Sequence, residues 1–372
     1  MHALKFIRLS NFSESQDITR ELLAHKYLTL REGLVRSDKG FRKIVGAVIA
    51  CFLLSSIAHA SELDPRFEFR SLGNGAAQLF MESHFDELDR LVNEWSSSNE
   101  RLGNGLRKLE AFHFGLAEAL FARKRDWPAF HTQISNWRKQ RPTSVAAALS
   151  DAYYWEVYAW EARGNGMAST VARDAWKLFG ERIHNAEAAL VASKSFADSS
   201  PEWYAEYIRV AIGLNWPKSK LLTLFDEATA RYPSYRPLYF SVAEQLGPRW
   251  GGSEELLDAF IQRSVAMTRA EDGSWYYTLL YQYATRDMGS DFDLFRDTKA
   301  TWKLLRQGFA DQVARYPRDF ATLNEFASYT CKMNEGATYL SLRKQIGKKV
   351  YQDMWLEQFP YEMCDRRYSF QG

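Results

Sequence analysis

The sequence has little of several features that would assign it to a class of function. Its 372 residues include only three Cys, too few for the disulfide framework of a small secreted scaffold. The 48 Lys and Arg balance the 46 Asp and Glu, so no excess of positive charge favours binding to a phosphate backbone. The longest apolar run has 14 residues, against the roughly 20 of a membrane-spanning helix. We therefore expect neither a nucleic-acid partner nor a membrane span.

Motifs that carry catalysis are also scarce. The sequence contains no H-E-x-x-H zinc motif, no G-x-S-x-G nucleophile elbow and no Walker-type phosphate loop. It does contain 46% hydrophobic and 15% aromatic residues, enough to build a substantial core. These observations predict a folded protein that is not an enzyme and requires no cofactor.

The N-terminal region carries a pattern typical of a secretory leader. Basic residues precede the apolar run at 44–57, and Ala58 and Ala60 then supply the small residues that a signal peptidase reads. The pattern predicts a signal peptide over residues 34–60 and a mature chain that begins at Ser61. We expect export to the periplasm or the cell exterior.

Residues 1–33 are too numerous and too polar for the charged start of such a leader. Translation is therefore expected to begin near Leu34 or Val35, so that residues 1–33 are not part of the cellular protein. Lipid attachment is an alternative, because the sequence ending at Cys51 resembles a lipoprotein box. Apolar residues continue beyond that cysteine, which favours soluble export.

Beyond the leader, apolar residues recur with helical spacing almost throughout. Between Phe80 and Trp95, for example, they follow one another at intervals of three and four. The prolines fall at joints between such segments, where a missing backbone N–H is tolerated. The pattern predicts about a dozen helices after a linker at 61–75, with one short extended piece at 67–72.

Internal similarity indicates how these helices are organised. The tripeptide Arg-Tyr-Pro occurs at 231–233 and again at 315–317, each time before an apolar helical segment. Upstream of the first copy, Phe225, Ala228 and Pro233 have the F-x-x-A-x-x-x-x-P spacing that ends a tetratricopeptide (TPR) repeat. The sequence predicts an all-α, irregular, TPR-like α-solenoid of stacked helical hairpins.

Four segments of the chain carry a resemblance to a known family: residues 85–89, 159–164, 201–204 and, above all, the Pro-Arg-Trp-Gly-Gly-Ser motif at 248–253. They resemble a bacterial family of TPR-like proteins described only as a domain of unknown function. The resemblance implies a helical-repeat domain and no particular activity. We expect this domain over residues 76–351, followed by a capping tail at 352–372.

A helical-repeat protein without catalytic motifs is expected to bind a protein or peptide, here in the cell envelope. Its binding residues should be exposed aromatic and arginine side chains, and the candidates are Trp203, Tyr204, Arg249, Trp250, Trp275 and Tyr276. The same Trp-Tyr clusters would serve glycan binding, which is an alternative function. Most of the aromatic side chains beyond the leader are nonetheless expected to pack the core.

A metal-dependent alternative rests on two Glu-x-x-His pairs. Two such pairs, with one further Glu from each of two other helices, would supply the ligands of a di-iron four-helix bundle oxidoreductase. The candidate pairs are Glu110 with His113 and Glu181 with His184; the further carboxylates would be Glu82 or Glu87 and Glu156 or Glu161. The repeat pattern predicts a different topology, so the scaffold interpretation is preferred.

Only two cysteines, Cys331 and Cys364, lie beyond the predicted cleavage site. In an oxidising compartment two such thiols can pair, which makes a disulfide between them a candidate. Two buried free thiols are the alternative, since spacing alone does not show how far apart the Cα atoms lie.

Overall fold

The computed structural model describes residues 64–371, apart from Asn99, Asn165, Asp287 and Ser290. This part of the chain forms sixteen α-helices and no β-strand. The expected all-α fold is therefore confirmed. No helix in the described part is long and apolar enough to cross a membrane. The predicted translation start, signal peptide and lipoprotein box fall outside the described residues.

In chain order the helices are α1 (Pro65–Met81), α2 (Phe85–Ser97), α3 (Glu110–Ala122), α4 (Trp127–Gln140), α5 (Val145–Arg163), α6 (Arg173–Ala197), α7 (Pro201–Gly213), α8 (Lys218–Arg231), α9 (Pro237–Leu246), α10 (Glu254–Asp272), α11 (Trp275–Thr285), α12 (Leu294–Asp297), α13 (Trp302–Arg315), α14 (Phe320–Lys332), α15 (Gly336–Ile346) and α16 (Tyr361–Arg367). Short 3₁₀ turns lie at Ala168–Thr170, Pro248–Trp250 and Gln352–Met354.

Most of these helices form stacked hairpins. Helix α5 pairs with α6, α7 with α8, α9 with α10, α11 with α13 and α14 with α15. The first helices of successive hairpins contact one another from α5 to α7, α9 and α11, and each second helix also contacts the first helix of the next hairpin. This pairing is the solenoid-like arrangement that the repeats predict, and we call the layer formed by α5, α7, α9 and α11 the inner layer.

The start of α1 corrects one prediction. Residues 65–75, expected as a linker with an extended piece at 67–72, are helical. The Asp64 side chain caps the helix by accepting a hydrogen bond from the Arg66 backbone N–H, and proline occupies the first turn, where its fixed φ favours a helix start. These capping signals begin a helix where an extended piece was expected.

All ten prolines lie outside helix interiors, as the sequence predicts. Proline occupies the first turn of α1, α4, α7 and α9, where the backbone N–H would have no helical partner in any case. The others lie in the turns that join helices. Proline therefore marks the start of several helices in this chain.

The connection between α2 and α3, residues 98–109, reaches turns that are far away in sequence. Its Arg101 pairs with Asp272 at the end of α10, with Nη1 and Oδ1 3.1 Å apart. Its Arg107 donates a hydrogen bond of 2.7 Å to the hydroxyl of Ser234, in the turn before α9. This segment therefore holds the N-terminal helices against the middle of the array.

Residues 352–371 fold back onto α14, where a capping tail was expected. Trp355 is buried, and α16 contacts α14. A disulfide joins Cys331 of α14 to Cys364 of α16, with Cα atoms 6.0 Å apart. The guanidinium of Arg343 in α15 also pairs with Asp365 at 2.8 Å. The end of the array is thereby covered.

Candidate functional site

Four of the six predicted partner-binding residues lie in the interior. Trp203, Tyr204, Trp275 and Tyr276 are 0%, 0%, 5% and 0% exposed. The Trp203 indole donates a hydrogen bond of 3.1 Å to a backbone carbonyl of α6, so even its polar atom serves packing. This placement corrects the prediction for these four residues. It also removes most of the aromatic surface that glycan binding would need.

The other two predicted residues, Arg249 and Trp250, belong to a turn whose shape explains its sequence. A Cβ at Gly252 would lie 1.9 Å from the backbone oxygen of Leu246, so no side chain fits there. Ser253 caps α10 by accepting a hydrogen bond of 3.2 Å from the Leu256 backbone N–H. The Pro-Arg-Trp-Gly-Gly-Ser motif is accounted for by turn and cap chemistry.

The four residues of the di-iron alternative do not come together. Glu181 and His184 lie on the outside of α6, with side chains 57% and 70% exposed. Glu110 is buried and pairs with Arg236, with Oε2 and Nη2 3.0 Å apart. The two Glu-x-x-His pairs therefore occupy different environments, because α6 is a second helix of its hairpin and lies outside the inner layer.

His113 instead lies in a different group of ionisable side chains, which we call the inner cluster: His113 of α3, Glu156 of α5, and Glu202, Glu206 and Arg209 of α7. The three α7 residues share one helical face, because intervals of four and three return to the same side of a helix. Within the described residues this is the one place where three His, Cys, Asp or Glu side chains are close enough to hold a metal ion.

Arg209 holds the two carboxylates of α7 in position. Its Nη2 lies 2.8 Å from Glu202 Oε1, and its Nε lies 3.1 Å from Glu206 Oε2. Tyr235 donates a further hydrogen bond from its hydroxyl to Glu202. Both carboxylates are almost fully buried, so their orientation is fixed by these contacts rather than by solvent.

The imidazole of His113 lies between the same two carboxylates. Its Nδ1 is 3.2 Å from Glu202 Oε1 and its Nε2 is 3.6 Å from Glu206 Oε2. Neither nitrogen meets hydrogen-bond geometry with a partner in the described part of the chain. The nitrogens are therefore close to negative charge without being committed to a hydrogen bond.

Glu156 completes the inner cluster as its least satisfied member. It is 0% exposed, and neither of its carboxylate oxygens has a hydrogen-bond partner among the described residues. Burial, and next the charge of Glu206, raise the pKa of Glu156 to about 7, and the positive charge of Arg209 opposes this shift only in part. Although burial alone would raise the pKa of Glu206, Arg209 and then His113 hold it below its ordinary value.

The inner cluster contains more negative than positive charge. Three carboxylates face one guanidinium, and the neighbouring Glu110 is already paired with Arg236. An additional cation would compensate the excess, and imidazole and carboxylate groups are metal ligands. Sequence reasoning missed Glu202, Glu206 and Arg209; the only local signal was their common spacing on one helical face.

Comparison with known proteins finds one matching family model, and its function is unknown. A family model described as "Domain of unknown function (DUF4034)" matches residues 75–236. The predicted resemblance to a domain of unknown function is confirmed, whereas the match supports neither its TPR-like character nor the motif at 248–253, which lies outside it. The matched DUF4034 region covers less than half of the chain but contains the whole inner cluster. No curated protein and no solved structure matches the chain.

Proposed function

We propose that this protein is an exported, non-catalytic scaffold of helical hairpins that binds a protein or peptide partner in the cell envelope. The continuous stacking of first helices from α5 to α11 carries this proposal, because such arrays present an extended surface built from many repeats. The leader pattern at 34–60 supports the export.

The hairpin of α5 and α6 offers the clearest docking surface. Gly213, the last residue of α7, lies against Phe179 and Ile183 of α6. Residues 173–178 therefore extend beyond the end of the neighbouring helix. We call the connection between α5 and α6, together with the first turns of α6, the hairpin tip (residues 163–178).

The hairpin tip exposes apolar side chains next to an arginine. Met167 is 74% exposed and Trp176 is 38% exposed. The Arg163 guanidinium lies 5.2 Å from the centre of the Trp176 ring and donates hydrogen bonds of 3.0 Å to the backbone oxygens of Gly164 and Gly166. Aromatic, methionine and arginine side chains are enriched where proteins bind one another, so this tip supports a protein partner.

The test is a crosslinking capture from envelope extract, with purified protein as bait. Replacing both Met167→Glu and Trp176→Ala should abolish capture of the specific partner while the helical content stays unchanged. The matched control is Val191→Glu, because Val191 is 59% exposed on the same helix but lies outside the hairpin tip. Equal capture by the tip variant and the wild type would contradict this docking surface.

Export has its own measurement. N-terminal sequencing of protein recovered from the envelope fraction should find Ser61 as the first residue, since Ala58 and Ala60 fit the peptidase recognition site. An N-terminus upstream of Lys43, or a diacylglycerol on Cys51, would overturn soluble export.

A further inference from the structure

The inner cluster has a property that partner binding at the hairpin tip does not use. It brings ionisable side chains from three neighbouring helices, α3, α5 and α7, into one buried place. Burying an excess of negative charge is costly unless a cation compensates it. Arg209 compensates one of the three carboxylates, and a second cation would offset part of the remaining negative charge.

We propose that the inner cluster binds one divalent first-row transition-metal ion through His113, Glu202 and Glu206. The bound ion would join α3 to α7. Its role would be structural, and the proposal does not depend on the partner that the hairpin tip binds.

The positions of the donor atoms support this site. One ligand atom from each of His113, Glu202 and Glu206 lies within 4.8 Å of the other two. Unpartnered polar atoms are available in the same place: both imidazole nitrogens, one oxygen of Glu206 and both oxygens of Glu156. Native interiors rarely leave buried polar atoms unpaired, so several such atoms in one place need an explanation. A bound metal ion would explain them, because it would pair with these atoms.

The surrounding contacts are those that metal ligands need. Carboxylates that bind metals are themselves oriented by hydrogen bonds. Here Arg209 contacts both α7 carboxylates, and Tyr235 donates to Glu202. These donors leave Glu206 Oε1 unoccupied, so orientation and ligation do not compete for the same oxygen of that residue.

The donor set selects the class of ion. Imidazole with carboxylates suits Zn²⁺, Mn²⁺ or Fe²⁺, whereas Ca²⁺ and Mg²⁺ prefer oxygen donors alone. The competing explanation is a protonated His113 that pairs with both Glu202 and Glu206. The two explanations differ in one measurable respect, which is whether the protein retains a stoichiometric metal ion.

The experiment measures metal content directly. Purified protein without an affinity tag is stripped with a chelator, equilibrated with Zn²⁺ or Mn²⁺ near neutral pH, separated from free metal and analysed for metal content. We expect about one ion per chain. The variants Glu206→Gln and His113→Asn should each bind at least about tenfold more weakly, the loss typical when a metal site is disturbed.

A matched control uses the other His and Glu pair. The double variant Glu181→Gln with His184→Asn removes the same two chemical groups from the exposed face of α6 and should keep full metal binding. Circular dichroism of each variant reports the fold. If His113→Asn does not fold, Glu206→Gln and Glu202→Gln provide the comparison, since both keep the shape of the side chain.

Several outcomes would overturn the proposal. A wild-type protein that retains neither Zn²⁺ nor Mn²⁺ at 1:1 stoichiometry would leave protonated His113 as the compensating charge. Retention of metal by folded Glu206→Gln and Glu202→Gln variants, or loss of metal in the α6 control, would place the ion elsewhere. Equal binding of Ca²⁺ would exclude the imidazole as a ligand. The proposal would be supported if Zn²⁺ raised the melting temperature of the wild type and did not raise that of Glu206→Gln.

Discussion

Asn324 uses every hydrogen-bonding group of its side chain in the interior. Its amide nitrogen donates to the backbone oxygens of Phe320 and Lys349, at 2.7 Å and 2.9 Å. Its amide oxygen accepts from the Tyr351 backbone N–H at 3.0 Å and from the Trp355 indole at 2.9 Å. This one residue of α14 thus provides hydrogen-bond partners for the backbone of the segment that leads into the tail.

The variant Asn324→Ala should therefore leave several buried groups without a hydrogen-bond partner. The expected loss of stability is about 2–4 kcal/mol, because each buried polar group left unpaired costs about 1–3 kcal/mol. Urea denaturation would measure it, with Asn93→Ala on the exposed face of α2 as the control. A change of less than about 0.5 kcal/mol would mean that water replaces these hydrogen bonds.

Glu325, in the next position, should make stability depend on pH. Burial, and next the charge of Asp319, raise the pKa of this carboxyl to about 8, against an ordinary value of 4.5. Between these two values the unfolded chain is ionised while the folded chain keeps the proton, so the free energy of unfolding falls as pH rises. Above pH 8 the full cost of the charge is present.

The variant Glu325→Gln should remove this dependence and keep the hydrogen bond of 2.5 Å from Gln282. Relative to the wild type it should gain about 1–3 kcal/mol at pH 9 and almost nothing at pH 4. Denaturation curves at the two pH values provide the comparison. If the difference in unfolding free energy between variant and wild type were the same at both pH values, the pKa of Glu325 would not be raised by folding.

At the scale of elements, α1 and α3 approach each other closely. A Cβ at Gly115 of α3 would lie 2.4 Å from the backbone oxygen of Gly73 in α1, so the two backbones approach too closely for any side chain. By contrast, a Cβ at Gly75, two residues along α1, would meet nothing within 4 Å. Alanine variants at Gly115 and Gly75 therefore distinguish the cost of overpacking from the effect of helix propensity.

Gly115→Ala should destabilise the protein by about 1–3 kcal/mol through overpacking. Gly75→Ala should be neutral or stabilise by up to about 1 kcal/mol, since alanine favours a helix over glycine. Thermal melting of the two single variants decides the matter. Equal melting temperatures would contradict the close approach of α1 and α3.

Periodicity predicts helices well where one face is buried and poorly where the neighbours cover every side. Helix α5 is buried along nearly its whole length, from Ala146 to Trp160, because it packs against α2, α4, α6 and α7. Such a helix has no polar stripe. The aromatic clusters of the first helices suggested an exposed binding surface for the same reason, since sequence does not distinguish a side chain facing solvent from one facing the next hairpin.

At the scale of the whole molecule, the tail depends on its covalent link to α14. The bond between Cys331 and Cys364 closes a loop with a sequence separation of 33 residues. The double variant Cys331→Ser with Cys364→Ser should lose about 3–4 kcal/mol on the chain-entropy model. Mass spectrometry of a non-reduced digest should find the linked peptides. Alkylation of both cysteines without prior reduction would show that apolar packing alone holds the tail.

The sequence by itself determined the helical class, the proline-marked joints and the candidate cysteine pair, because spacing and turn chemistry are local properties of the chain. Only the tertiary structure decided which faces meet. It buried Trp203 and Trp275, left Trp176 exposed, and separated Glu181 from the interior. It also brought His113 to the α7 carboxylates. The contacts between successive hairpins set these distances, and they join residues far apart in sequence.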